Sequence, residues 1–204
     1  APYRASNSQI CEVVRKKADW IERKVNEIKA RNSKLICRQF VSGEKILYLG
    51  REYTLEILEK DSGKPEVLVR EDTVSVCISP GLPGEDRKQA VKEALTKWYR
   101  QRFSEIVNER VEKYSLQLKA APCKVAIKDQ KTMWGSCSKK GNINLNWKLV
   151  MAPVEIIDYV IVHELCHLKV MSHSKDFWNL VASVLPNCEK SRKWLKANGY
   201  MLAI

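Results

Sequence analysis

Between Asn7 and about Ala30 the apolar residues Ile10, Val13, Val14, Ile21, Val25 and Ile28 fall on a helical spacing, with basic residues between them. That pattern predicts an amphipathic helix, capped by Asn7 or Ser8. From Glu44 to Ser79 the texture changes to short runs, ILYL, YTLEIL, EVLVR and VSVCIS, punctuated at Gly50-Arg51, Asp61 to Pro65 and Glu71-Asp72. Runs of that length between turn residues predict a meander of antiparallel strands.

Pro80-Gly81-Leu82-Pro83-Gly84 is the strongest break in the chain. A long charged helix is expected after it, from about Asp86 to Lys119, buried along Val91, Leu95, Trp98, Phe103, Ile106, Val107, Val111 and Tyr114. A second strand pair, Lys124 to Ile127 and Asn142 to Trp147, flanks Met133 to Cys137, with Ser136 and Cys137 in a turn. Pro153 opens another helix, which runs through His167 with little polar relief and is expected to be buried. Two short helices follow, from about Ser174 and about Glu189. Helices and strands are segregated along the chain, so the fold class is α+β. The expected organisation is a basic N-terminal helix (1–40), a β-meander (41–80) and a core with an antiparallel sheet (81–204), packed as one compact unit.

Composition narrows the function classes. The 204 residues are 45% hydrophobic and 29% charged, enough apolar material for an ordinary core. No apolar run approaches the roughly 20 residues of a spanning helix, so no membrane helix is expected. No charged-then-apolar leader opens the chain, and a start at Ala1 in place of Met points to a processed form or a fragment. Seven cysteines (11, 37, 77, 123, 137, 166 and 188) lie scattered without a CxxC pair, which provides neither a disulfide framework nor a four-thiolate zinc site. Reduced thiols in a cytoplasm are the expectation. The net charge is +12, and residues 1–40 contribute half of it, with ten basic against four acidic side chains. Arg15, Lys16, Lys17, Arg23, Lys24, Lys29 and Arg31 offer a face for non-specific DNA or RNA phosphate contact, or are an ordinary solvated helix surface.

All three histidines lie in the eleven residues His163-Glu-Leu-Cys-His167-Leu-Lys-Val-Met-Ser-His173. Residues four apart stack on one helical face, so His163 and His167 can direct imidazoles at one ion. Glu164 lies on the neighbouring face, free to act as a base without taking a coordination position. His173 becomes the third ligand if the helix ends near Val170 and the chain turns back. Three neutral nitrogens with one open position describe a catalytic zinc site, one ion per chain. With every histidine so engaged, none remains to activate Ser136 or Cys137. Cys166 is expected to be a small core residue. Asp176 and Glu189 are the nearest alternative ligands in sequence.

Trp134-Gly-Ser-Cys137, Gly141-Asn-Ile-Asn-Leu-Asn-Trp147, Ala152-Pro153, Asp158-Tyr159-Val-Ile-Val-His163-Glu-Leu-Cys-His167-Leu and His173-Ser-Lys-Asp-Phe177-Trp178 together resemble the YgjP-like metallopeptidase-domain family of zincins. The resemblance covers residues 85–204, with a looser likeness at Trp20-Ile21 and Gly43 to Leu55. It implies a zincin-like catalytic domain with a buried HExxH helix, and a zinc metallopeptidase acting on polypeptides. His163, His167 and His173 are then the ligands and Glu164 the catalytic base. It also implies further strands upstream of Ala1 and kinship with SprT-type proteases that act on DNA-bound proteins. Metzincins share the histidine spacing, but Val170 stands where they need a turn glycine.

The strand Asn142 to Asn146 is either the lip of a cleft that pairs with an extended peptide or an internal strand of the core sheet. Tyr159 and Tyr200 are candidates for stabilising an oxyanion, with core packing as the competing role. Two other functions compete with peptide hydrolysis: a nucleic-acid-associated protein with a structural or inactive zinc, and a zinc hydrolase with a non-peptide substrate.

Overall fold

The computed structural model describes residues 6–32, 38–60 and 65–204. The expected turn at 61–64 and Cys37 lie outside the described residues, as do the side chains of Ile28, Lys29 and Arg31. The chain divides into two compact units, Ala1–Cys37 and Arg38–Ile204.

In the first unit the expected single helix is two, α1 (Asn7–Lys16) and α2 (Ala18–Asn32). Ser6, not Asn7 or Ser8, caps α1 in a reciprocal box. Its hydroxyl accepts from the Gln9 amide at 3.3 Å, and the Gln9 side chain accepts from the Ser6 amide at 3.0 Å. Lys17 interrupts the helix at φ −104° and ψ 4°. Hydrophobic spacing could not reveal that break, because the apolar stripe resumes in phase at Ile21. Val13, Val14 and Trp20 on these helices are more than half exposed.

The second unit begins with four strands, β1 (Lys45–Tyr48), β2 (Arg51–Glu59), β3 (Glu66–Arg70) and β4 (Thr73–Ile78). Their order is β1-β2-β4-β3. Two antiparallel hairpins are joined by a parallel pairing of β2 with β4, so the sheet is mixed and not the expected antiparallel meander. The burial pattern gives the reason. β4 is buried along nearly its whole length while β3 is mostly exposed, and burying the near-continuous apolar run of β4 requires the inner position.

Helix α3 (Gly84–Leu118) crosses the sheet and buries Val91, Leu95, Phe103 and Val107. Ile106 and Val111 of the expected stripe are only half-buried, and Tyr99 joins it instead. The Tyr99 hydroxyl donates to the Leu47 carbonyl at 2.7 Å, tying helix to sheet.

A second sheet holds β5 (Lys124–Lys128), β6 (Gly135–Cys137) and β7 (Asn142–Asn146) in the order β5-β7-β6. β5 and β7 are parallel, β6 and β7 antiparallel, so this sheet too is mixed where an antiparallel one was expected. Ser136 and Cys137, expected in a turn, form the strand β6. A 3-10 turn, Trp147–Met151, leads into α4 (Val154–His167), and α5 (Lys175–Val184) and α6 (Cys188–Asn198) follow.

The first sheet anchors the start of α4. The Leu49 amide donates to the Val150 carbonyl at 2.9 Å and the Gly50 amide to Met151 at 3.2 Å. Gly50 has φ +79°, and a Cβ there would stand 2.7 Å from Pro153 Cγ, so only glycine permits this approach. α4 itself is buried around its circumference by Ile156, Ile157, Val160, Ile161, Val162 and Leu165.

Candidate metal centre

A helix buried on all sides exposes polar side chains to desolvation unless something satisfies them. α4 nonetheless carries Glu164 and His167 at 5% and 8% exposure. It ends at His167, three residues earlier than expected, and the amides of Leu168, Lys169 and Val170 fold back onto the carbonyls of Leu165 and Cys166. Ser174 then caps α5 by accepting from the Phe177 amide at 3.4 Å. This tight reversal brings His173 against the last turn of α4.

The three histidines meet. One ring nitrogen from each of His163, His167 and His173 lies within 4.8 Å of the others, and His163 Nε2 and His173 Nε2 are 3.0 Å apart. Phe177 stacks on His167 at 4.4 Å between centroids and meets the other two rings edge-on at 4.9 Å. Trp178 stacks on His173 at 5.7 Å. The aromatic pair that opens α5 therefore packs around the triad. Phe177 and Trp178 follow His173 in the family-like motif, and no local sequence signal distinguishes this packing role from an ordinary core position.

The donor chemistry fits a divalent ion. A carbonyl can only accept, so the 3.1 Å contact between His167 Nδ1 and the Val170 carbonyl places the proton on Nδ1 and leaves Nε2 a lone pair. Burial lowers the pKa of His163 to about 3, with His167 and His173 adding to the shift. Burial also lowers that of His167, against the pull of the Val170 hydrogen bond. Neutral, convergent imidazoles are the form that a metal requires. Asp176 and Glu189 are not members of this cluster, and Glu189 pairs with Lys193 at 3.1 Å.

Glu164 lies beside the triad. Burial raises its pKa to about 7. Its carboxyl packs against Gly135 of β6, where a Cβ would stand 2.5 Å from Oε1 and 2.7 Å from Cγ. Sequence reading missed this role of Gly135, because no local signal distinguishes a glycine needed for close approach from one needed for a turn. Cys137 of the same strand has its pKa raised by burial and by the charge of Glu164, which disfavours a reactive thiolate. Cys166 is fully buried, its thiol pushed up to about 11 by burial.

The centre opens into a cleft of about 360 Å³ lined by Trp134, Gly135, Tyr159, His163, Glu164 and Arg192 among others. Tyr159 is thus at the site, its pKa raised by burial to about 12, whereas Tyr200 does not line the cleft. β7 is paired on both sides, so Asn142 to Asn146 is an internal strand and not a lip. β6 is the strand at that edge.

No helix among the described residues is long and apolar enough to cross a membrane. Residues 1–198 match the YgjP-like metallopeptidase domain. No curated protein matches the chain. Among solved structures, the metallopeptidase zymogen abylysin of Pyrococcus abyssi is 28% identical, over 44% of this chain and 93% of that one, with a TM-score of 0.40. The metallopeptidase zymogen jannalysin of Methanocaldococcus jannaschii is 24% identical, over 43% and 84%, with a TM-score of 0.39. Because the match spans residues 1–198 of the 204, the chain belongs to the YgjP-like metallopeptidase-domain family and is a metal-dependent hydrolase.

Proposed function

We propose that the protein is a zinc peptidase in which His163, His167 and His173 hold the ion and Glu164 is the general base. The observation that carries this reading is the convergence of three imidazoles, two of them from α4, beside the buried carboxyl group that the same helix supplies. Zinc supplies Lewis acidity there, polarising a scissile carbonyl and acidifying water.

Glu164 takes the proton of the attacking water on its carboxylate and returns it to the leaving amine. Burial raises the pKa of this carboxyl group above the usual carboxylate range, the direction that suits a group that must both accept and return a proton. Gly135 leaves room for that carboxyl to stand against the strand. The edge of β6 not taken by β7 supports binding of an extended polypeptide by strand addition, which tolerates varied sequences.

The test is cleavage of unfolded casein by zinc-loaded protein, repeated after chelation, after zinc restoration and with Glu164→Gln. Activity should vanish with the metal and return with it, and should be lost by at least about a hundredfold in the variant. Parent-level activity in Glu164→Gln would defeat the assignment of the base.

A further inference from the structure

The cleft beside Glu164 contains more than the reacting centre needs. Met133, Trp134, Val160 and Leu195 give it apolar walls, and α6 adds Arg192 and Lys196. These two cations are four residues apart and so share one face of α6. Among the described residues, the only acidic side chain lining the cleft is that of Glu164, which the proposed reaction already uses.

Among the described residues an aromatic ring, and not a carboxylate, holds Arg192 in place. Its guanidinium lies 5.0 Å from the centroid of the Trp178 ring, and it forms no ion pair among the described residues. Trp178 in turn stacks on His173, so the cation is fixed relative to the metal centre through two ring contacts. A guanidinium stacked on an aromatic face keeps its in-plane N–H donors available for a forked contact with a carboxylate. The neighbouring Lys193, by contrast, pairs with Glu189 within α6.

We infer that this cleft is a substrate subsite that selects a carboxylate, with Arg192 as its principal reader and Lys196 adding charge. The inference rests on the peptidase reading and specifies its substrate class. Polypeptides are favoured whose residue flanking the scissile bond presents a negative charge. That charge comes either from an acidic side chain or from a free chain terminus.

The experiment uses the zinc-loaded protein and end-blocked peptides that differ only in Glu, Gln or Lys, scanned across positions on both sides of the cleaved bond. A second set carries Gln throughout and ends in a free or an amidated carboxyl group. At one position Glu should exceed Gln in kcat/KM by about fivefold, the scale of a charge pair in a half-open cleft. A preference for the free over the amidated terminus, with none for Glu, identifies the terminus as the source. Arg192→Gln should bring the preference ratio close to one, and Arg192→Glu should favour Lys over Glu. Lys196→Gln should lower the ratio by about twofold.

Equal rates in the parent for every member of both sets, or a ratio unchanged in Arg192→Gln, overturns the subsite while leaving the peptidase reading intact. If the parent cleaves no peptide, the peptidase reading fails and direct binding decides the subsite. The same peptides are then titrated against the protein by tryptophan fluorescence. A carboxylate preference lost in Arg192→Gln upholds the subsite, and equal binding of charged and neutral peptides overturns it.

Discussion

The backbone of Gly135 supports the carboxyl group of Glu164 directly. A Cβ at position 135 would lie 2.5 Å from Glu164 Oε1, 2.7 Å from Cγ and 2.9 Å from Cδ, so any side chain must displace the proposed base or the strand. Glu164 is 5% exposed, so neighbouring groups already surround most of its surface. Gly135→Ala is therefore expected to retain zinc and fold while losing about a hundredfold in kcat, the cost of misplacing a catalytic group by about 1 Å. Metal analysis alongside steady-state kinetics checks this. A variant with parent kcat would show that the contact is incidental.

Asn146 fixes the segment that delivers Gly135. Its side-chain amide donates to the carbonyls of Gln130 at 2.8 Å and Met133 at 3.1 Å, and its oxygen accepts from the Lys148 amide at 3.2 Å. The residue is 2% exposed, so truncation leaves buried groups without partners. Asn146→Ala should cost about 2 kcal/mol, or roughly 4–8 °C in Tm. Asn146→Asp should be at least as harmful, because it sets a carboxylate against two carbonyls. Thermal melts of both variants decide the matter, and no loss of Tm in either would refute the bracing role.

Much of the site is legible in the sequence because helical spacing places residues mechanically. His163 and His167 share a face by periodicity, and the reversal that recovers His173 follows from the distance between it and His167. Long-range relations lie beyond such local reasoning. Nothing near Gly135 announces Glu164, and nothing in the strand pattern of β1 to β4 dictates that β4 inserts between β2 and β3. That order becomes intelligible only when the near-continuous apolar run of β4 is weighed against the exposed surface of β3. Turn signals such as Gly50-Arg51 and Glu71-Asp72 predict the hairpins of the first sheet but say nothing of the pairing between hairpins.

Alkaline pH offers a test of the packing of α3. Burial raises the pKa of Tyr99 well above its usual value, and burial together with Asp158 raises that of Tyr114 to about 12. Unfolded tyrosines lose their protons near pH 10, so above that pH the unfolded chain binds fewer protons than the folded one. Stability should be unaffected by these groups below about pH 10 and fall as pH rises from about 10 towards 12. Denaturant titrations across that range should give a shallower decline for Tyr114→Phe than for the parent. An identical pH slope in both would rule Tyr114 out as a contributor.

His173 tests whether the third ligand comes from outside α4. It reaches the triad only because α4 ends at His167, where the side chain of that residue holds the Val170 carbonyl at 3.1 Å and helps to shape the reversal. His173→Ala deletes one donor and leaves that turn intact, so zinc affinity should fall by at least about a hundredfold with little change in fold. Asp176→Ala serves as the contrast. It lies at the start of α5 but outside the cluster, and its substitution should leave zinc affinity within about threefold of the parent. Competition with a chromophoric chelator measures both. If His173→Ala retained zinc as tightly as the parent while Asp176→Ala did not, the carboxylate would be the ligand and the three-histidine centre would be wrong.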